Sequence, residues 1–120
     1  MLIFMLLATM FTANDLKQYC ASTNTNELSY CNGYLLGFDE GVRSGAIVAA
    51  ILADPTDDKA ALALSNQTDQ RARGCSSDGV TMEQVRLIFL KYIDEHPEKL
   101  HLGQAQLVGT AFRTAFPCRK

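Results

Sequence analysis

Four cysteines, Cys20, Cys31, Cys75 and Cys118, are the residues of this chain that have the most chemistry to offer. A zinc site built from cysteines needs close pairs such as C-x₂-C, and the gaps between these four are far wider. An even number of cysteines in a chain of 120 residues favours two disulfides, which persist in oxidising compartments. Three pairings are possible, and the spacing leaves all three open. The cysteines therefore predict a disulfide-braced, exported protein.

The remaining polar residues do not form a pattern typical of catalysis. His96 and His101 are separated by a proline, so they do not share one helical face. Asp39 and Glu40 are sequence neighbours whose side chains would point apart on a helix, which favours a solvated surface. No serine lies in a nucleophile-elbow motif, and no glycine-rich phosphate loop is present. We therefore expect no enzyme activity, no metal site and no cofactor.

The first thirteen residues form an apolar leader without charge. Its length suits the hydrophobic region of a signal peptide and is too short to span a bilayer. No basic residue precedes it and Phe11-Thr12-Ala13 is a poor cleavage site, so we interpret residues 1–13 as an incomplete signal peptide. The alternative is that Leu2 to Phe11 belongs to a mature first helix. We expect residues 14–120 to form a single exported domain.

The composition restricts the class of partner. Hydrophobic residues make up 48% and charged residues 20% of the chain, which is typical of an ordered globular domain. The net charge is −2 and no basic patch is visible, so we expect no nucleic-acid partner. We also expect no membrane insertion of the mature chain.

Hydrophobic spacing predicts an all-α bundle of about five helices and no sheet. The first helix is predicted from Asn14, as its N-cap, to Ala21, and a polar loop from Ser22 to Ser29. The long second helix is predicted over about Cys31 to Ala53, and Pro55 either ends it or opens the next element. Asp54 or Thr56 would cap a short, weakly buried third helix with Leu62 and Leu64, and Ser65 to Gly79 would be a polar loop.

The fourth helix has the clearest start. Thr81 and Gln84 match a capping box, and Val80 and Val85 occupy the positions of a hydrophobic staple. Its apolar face should end near Pro97. A fifth helix is predicted from about Gly103 to Phe116.

Four glycines recur every four residues along the second helix: Gly33, Gly37, Gly41 and Gly45. Each costs about 0.8–1 kcal/mol relative to alanine inside a helix, so the row needs a compensating contact. A ridge without side chains lets another helix approach closely. We favour packing within the monomer, with a dimer interface as the alternative.

Several motifs together carry a family resemblance. Cys31-Asn32-Gly33-Tyr34-Leu35-Leu36-Gly37 resembles a C-x-G-Y-[IL]-x-G helix opening, and the segment from Cys75 to Gln84 resembles C-x-x-x-G-V-T-x-x-Q. His96-Pro97-Glu98, Leu100-His101 and the closing Ala115-Phe116-Pro117-Cys118 match the same family's tail. Over about Leu16 to Cys118 the chain resembles the Rap/Tai immunity family of bacterial type VI secretion systems.

The resemblance implies a small helical periplasmic protein that often forms a homodimer. Such proteins bind and block a peptidoglycan amidase delivered by neighbouring cells, a cysteine hydrolase of papain-like architecture. Inhibition is by occlusion, in which a protruding element covers the active-site cleft of the effector. The resemblance implies a protein partner and no cofactor.

The shared motifs have structural explanations, so we expect recognition residues on other exposed surface. Our candidates lie on the third helix and the polar segment after it: Asp57, Asp58, Lys59, Gln67, Asp69, Gln70, Arg71 and Arg73. Two other functions remain open at this stage. One is a periplasmic acid-stress chaperone, which also uses a small disulfide-bonded helical fold; the other is a small ligand carrier, which would need an internal cavity.

Overall fold

A computed structural model describes residues 11–53, 56–75 and 78–119. Within these residues the chain forms five α-helices and a short 3₁₀ turn: α1 (Ala13–Cys20), α2 (Thr25–Ala53), α3 (Asp58–Arg73), α4 (Met82–Glu95), the turn Pro97–Lys99 and α5 (Gln104–Ala115). The described residues contain no strand and one isolated bridge, between Thr12 and Gly103. The predicted all-α class is confirmed.

The first helix begins earlier than the sequence suggested. Thr12, and not Asn14, is the N-cap of α1, and it forms a capping box with Asp15. The Asp15 amide donates to Thr12 Oγ1 at 3.3 Å, and the Thr12 amide donates to Asp15 Oδ2 at 2.9 Å. Ala13 is buried, and its amide donates to the Leu102 carbonyl at 2.8 Å. The predicted leader boundary after residue 13 thus falls inside α1, and residues 1–10 of that leader lie outside the described residues.

Two segments predicted as loops are partly helical, and the predictions were wrong over those parts. The loop over residues 22–29 ends early, because α2 begins at Thr25 and the Asn24 side chain accepts hydrogen bonds from the Asn26 and Glu27 amides. The loop over residues 65–79 is helical as far as Arg73. Most of the α3 circumference is exposed, so a polar sequence is compatible with a helix there.

The third helix also has a different N-cap. Asp57 caps α3 and accepts hydrogen bonds from the Lys59 and Ala60 amides, each at 3.0 Å. The helix has 16 residues, so it is longer than predicted, but only Ala61 and Ser65 are buried. The roles predicted for Pro55 as a terminator and Asp54 as a cap lie outside the described residues.

The hydrophobic core lies between α1, α4, α5 and the first half of α2. Its largest fully buried side chains are Leu16, Leu35, Phe89, Ile93, Leu107 and Val108. Helices α4 and α5 supply most of this core. The capping box of α4 is present: the Gln84 amide donates to Thr81 Oγ1, and the Thr81 amide donates to Gln84 Oε1.

The second half of α2 pairs with α3 instead of entering this core. Among the described residues, no α2 residue after Phe38 belongs to the main core cluster. The buried residues of the pair are all small: Ala46 and Ala50 on α2, Ala61 and Ser65 on α3. Residues 42–53 and 58–65 therefore form a thinly buried helical hairpin, which we call the α2–α3 arm. Its surface carries large apolar side chains that are at least half exposed: Ile47, Val48, Ile51, Leu52 and Leu62.

The C-terminal end of α3 is fastened to α5. Arg113 Nη1 donates to the Ala72 carbonyl at 2.6 Å. A Cβ on Gly109 would lie 3.0 Å from that same carbonyl oxygen, so the backbones are close there. Gly74 then ends α3 with φ of 80°, and a Cβ on it would lie 2.5 Å from the Phe116 carbonyl oxygen. A side chain at Gly74 would therefore clash with α5 and strain the backbone.

Candidate protein-binding surfaces

The two disulfides join Cys20 to Cys31 and Cys75 to Cys118, which selects one of the three possible pairings. The first links α1 to α2 inside the core, and both of its cysteines are fully buried. The second links the end of α3 to the C-terminal segment, where Cys118 is exposed. The Cys75 amide also donates to the Phe116 carbonyl at 2.8 Å. All four cysteines are thus oxidised and brace the bundle without offering a thiol.

His96 and His101 do not belong to a group of side chains that could bind a metal ion. His96 Nδ1 lies 2.7 Å from the Tyr92 carbonyl oxygen, and its ring stacks on Tyr92 with centroids 4.2 Å apart. His101 is exposed. The described ranges contain no group of three or more side chains suited to holding a metal ion. No helix in the same ranges is long and apolar enough to cross a membrane.

The structure divides the eight candidate recognition residues into two groups. Five of them have exposed side chains on α3: Asp58, Lys59, Gln67, Gln70 and Arg71. Asp57 is exposed too, but its carboxylate caps the helix. Asp69 and Arg73 form an ion pair with each other, and their side chains are 21% and 12% exposed. Their i,i+4 spacing was the sequence signal for that pairing.

Arg73 is the centre of a charged network between α3 and α2. Its Nε and Nη2 groups donate to the two Asp69 carboxylate oxygens at 2.5 and 2.8 Å. Its Nη1 group donates to Asp39 Oδ1 on α2 at 2.7 Å. The hydrogen bonds that Arg73 donates to Asp69 raise the pKa of Arg73 despite the opposing effect of burial, so the guanidinium stays charged. The expectation that Asp39 lies on a solvated face was wrong, because its carboxylate is partly buried and accepts a hydrogen bond from Arg73.

An open cavity of about 350 Å³ lies beside this network, at the base of the α2–α3 arm. We call it the basal cavity. Its apolar wall is made by α2, the start of α4 and the end of α5: Leu36, Met82, Val85, Phe112 and Phe116. Its polar side is made by Asp39, Arg43, Arg73 and Asp78. No sequence motif indicated this cavity, because four separate segments form it.

Among the described residues, nothing covers the glycine ridge of α2. A Cβ built on Gly33, Gly37, Gly41 or Gly45 would meet no atom of these residues within 4 Å, the helix's own nearby backbone aside. The favoured expectation that this ridge packs within the monomer is therefore wrong, because the neighbouring helices contact α2 on other faces. Val48 and Leu52 follow the ridge at helical spacing, and they are 56% and 78% exposed. We call the face made by these six residues the glycine face.

A small helical domain with two disulfides and exposed apolar and charged patches is typical of a protein that acts by binding another protein. The family model of the Rap1a immunity proteins matches residues 12–118. The chain therefore belongs to the Rap1a immunity protein family, as the sequence motifs indicated. No curated protein and no solved structure gives a significant match. Membership implies binding to a cognate secreted effector.

Proposed function

We propose that this chain is a periplasmic immunity protein that binds a type VI secreted peptidoglycan amidase and covers its active-site cleft. The observation that carries the proposal is the family match, which spans nearly the whole described domain. The bound amidase could not reach cell-wall peptides, so the producing cell would survive effectors delivered by its kin. The chain itself would act by contact and perform no reaction.

The covalent bracing supports an extracytoplasmic site of action. Disulfides persist in the bacterial periplasm and are rare in the cytosol. Both are closed here, and one of them lies in the core. Bracing of this kind favours inhibition, because a binding surface that is already ordered loses little entropy when the complex forms.

The α2–α3 arm is the element we propose as the occluding surface. Papain-like hydrolases have a cleft, and a protruding hairpin can enter one where a flat face cannot. Leu62 and Ile51 supply exposed apolar area of the kind found at the centre of interfaces. Lys59, Gln67 and Arg71 supply exposed polar contacts on the same hairpin or just beyond it. Apolar surface with polar groups around it is the usual composition of a protein interface.

We further propose that two protomers associate through the glycine face. Four helix-interior glycines carry a folding cost of about 0.8–1 kcal/mol each, and no contact within the described part of the protomer offsets it. A second helix laid on this face could approach closely and bury Val48 and Leu52. Because a twofold interface uses one surface twice, the same residues from both chains would meet.

Co-expression tests this function directly. The chain and the peptidoglycan hydrolase encoded beside it would both be exported to the periplasm of a sensitive host. We expect growth to be rescued and the two proteins to elute together on gel filtration. A variant with Leu62→Glu, which places a charge on the arm, should lose both effects while keeping the helical circular-dichroism spectrum. Continued lysis with the unmodified chain, with no complex on the column, would reject the proposed function.

A further inference from the structure

We propose that the Cys75–Cys118 disulfide is a redox-sensitive strap that holds α3, and with it the α2–α3 arm, against the rest of the domain. A dithiol that reduces this bridge would release α3 while the core keeps its fold. Three observations support this inference: the place where α3 is attached, its small share of the core and the different exposure of the two disulfides.

The described hydrogen bonds that join α3 to α5 and the C-terminal segment lie at the C-terminal end of α3. The Ala72 carbonyl accepts a hydrogen bond from Arg113 at 2.6 Å, and the Cys75 amide donates to the Phe116 carbonyl at 2.8 Å. The disulfide adds a covalent link at the same place, where the Cα atoms of Cys75 and Cys118 lie 5.0 Å apart. One short stretch of chain therefore carries this attachment, and the bridge is its covalent part.

The rest of α3 buries little apolar surface. Among the described residues, none from α3 belongs to the main core cluster. Its two buried residues, Ala61 and Ser65, are small, and its large apolar residues Leu62 and Leu64 are exposed. The Arg73 network also joins α2 near the C-terminal end of α3. Opening the bridge would therefore loosen a helix whose release exposes little apolar surface, whereas release of α4 would break up the core.

The two bridges differ in their access to a reductant. Cys118 is exposed and Cys75 is partly buried, and both line an open depression in the surface. Cys20 and Cys31 are fully buried in the core. Because exchange requires a thiolate to reach a disulfide sulfur, a dithiol in solution can open the strap and leave the core bridge closed.

Reduction of the strap would proceed by thiol–disulfide exchange with that dithiol. One thiolate of the dithiol attacks the exposed Cys118 Sγ, the S–S bond breaks, and Cys75 leaves as a thiolate that takes up a proton. The second thiolate of the dithiol then attacks the mixed disulfide, and Cys118 leaves and is protonated in turn. The dithiol is oxidised to a disulfide by loss of two electrons, and the bridge is reduced to two thiols.

The first test is amide hydrogen exchange on the isolated protein. Dithiothreitol would be used at a concentration at which alkylation finds only Cys75 and Cys118 free. We expect exchange at residues 62–73 of α3 to accelerate about tenfold, and exchange at residues 85–93 of α4 to change less than about twofold. Reoxidation should restore the protection of α3, and Cys75→Ser/Cys118→Ser should reproduce its loss without a reductant. Unchanged exchange in α3 with the bridge open, or equal acceleration in α3 and α4, would overturn the inference.

The consequence for effector binding rests on the proposed function, because the arm is the proposed occluding surface. A loosened arm must be ordered again when the complex forms, which lowers affinity. We expect Cys75→Ser/Cys118→Ser to bind the hydrolase about tenfold more weakly than the unmodified chain. Arg119→Ser, which changes the exposed neighbour of Cys118 and keeps the bridge, should bind as the unmodified chain does.

The outcomes of this second test separate the two proposals. Equal affinity of Cys75→Ser/Cys118→Ser and the unmodified chain would overturn the claim that the strap holds the arm in its binding form, and would leave the immunity function intact. If the unmodified chain does not bind the hydrolase, the proposed function fails, and the exchange experiment alone decides whether the bridge restrains α3.

Discussion

Arg73 Nη1 on α3 donates to Asp39 Oδ1 on α2 across 2.7 Å, although the two residues are 34 positions apart in the chain. The Arg73 side chain is only 12% exposed, so this contact is screened less than an ordinary surface ion pair. Because few large apolar side chains hold α3 to α2, the charged network is the main directional contact at the base of the arm.

We expect removal of that network to destabilise the domain. Arg73→Ala leaves two partly buried carboxylates without their donor, so the free energy of unfolding should fall by about 1–3 kcal/mol. Arg43→Ala is the matched control: its side chain is more than half exposed, and the change should stay within about 0.5 kcal/mol. Urea denaturation followed by circular dichroism gives both values. A loss as small for Arg73→Ala as for the control would contradict this assignment.

A substitution on the glycine face should prevent dimer formation without destabilising the fold of the protomer. Gly41→Leu should abolish the dimer, because its side chain would occupy the contact face, whereas a Cβ at this position meets no atom of the described residues within 4 Å. Leucine also has a higher helix propensity than glycine, so the variant should unfold no more easily than the parent. Size-exclusion chromatography with light scattering measures the mass. Gln67→Leu on exposed α3 is the control, and a dimer that survives Gly41→Leu would refute the interface.

The two disulfides should differ both in reactivity and in contribution to stability. Cys118 is exposed whereas Cys20 and Cys31 are fully buried, so a mild thiol reductant should open the C-terminal bridge first. Alkylation followed by mass spectrometry reports that order. The C-terminal bridge also closes the longer loop, with a sequence separation of 43 residues, whereas the Cys20–Cys31 bridge spans 11. Loop-closure entropy therefore predicts a stabilisation of about 4 kcal/mol from the C-terminal bridge and about 3 kcal/mol from the Cys20–Cys31 bridge. Reduction of the Cys20–Cys31 bridge first would show that the core opens more readily than its burial indicates.

Acidification separates the immunity function from the acid-stress chaperone alternative. Arg86 hydrogen-bonds to Glu83 and lowers the pKa of that carboxyl. The pair therefore stabilises the folded chain above the ordinary pKa of glutamate and loses this contribution as the pH falls through the lowered value. Because Glu83 is an exposed surface residue, that loss is too small to open the bundle. We expect little change between pH 7 and pH 4 in the fluorescence of a dye that reports apolar surface. A reversible rise in this fluorescence at low pH, together with protection of other proteins from aggregation, would favour the chaperone alternative.

Local features of the fold were predictable because neighbouring residues determine them. Thr81 and Gln84 are three residues apart and satisfy each other's backbone groups without help from the rest of the chain. The apolar face predicted for the fourth helix is likewise present in α4, where Phe89 and Ile93 are fully buried. In contrast, polarity misled the prediction for α3, since an exposed helix and a loop can share the same composition.

The features that define the surfaces depend on tertiary contacts. The glycine ridge was visible in the sequence, but whether another helix covers it depends on which face of α2 its neighbours contact. The role of Asp39 required knowing that α3 folds back onto α2. The basal cavity combines residues from four segments, so no periodicity could predict it.

Stoichiometric inhibition is the most direct test of the central claim, which is that the chain blocks a peptidoglycan amidase by covering its active site. Purified chain, with both disulfides closed, would be titrated into the hydrolase while the release of new amino groups from peptidoglycan is measured. We expect activity to fall linearly and reach zero at one chain per hydrolase, with no product formed by the chain alone. Full hydrolase activity in a several-fold molar excess of the chain would contradict the account.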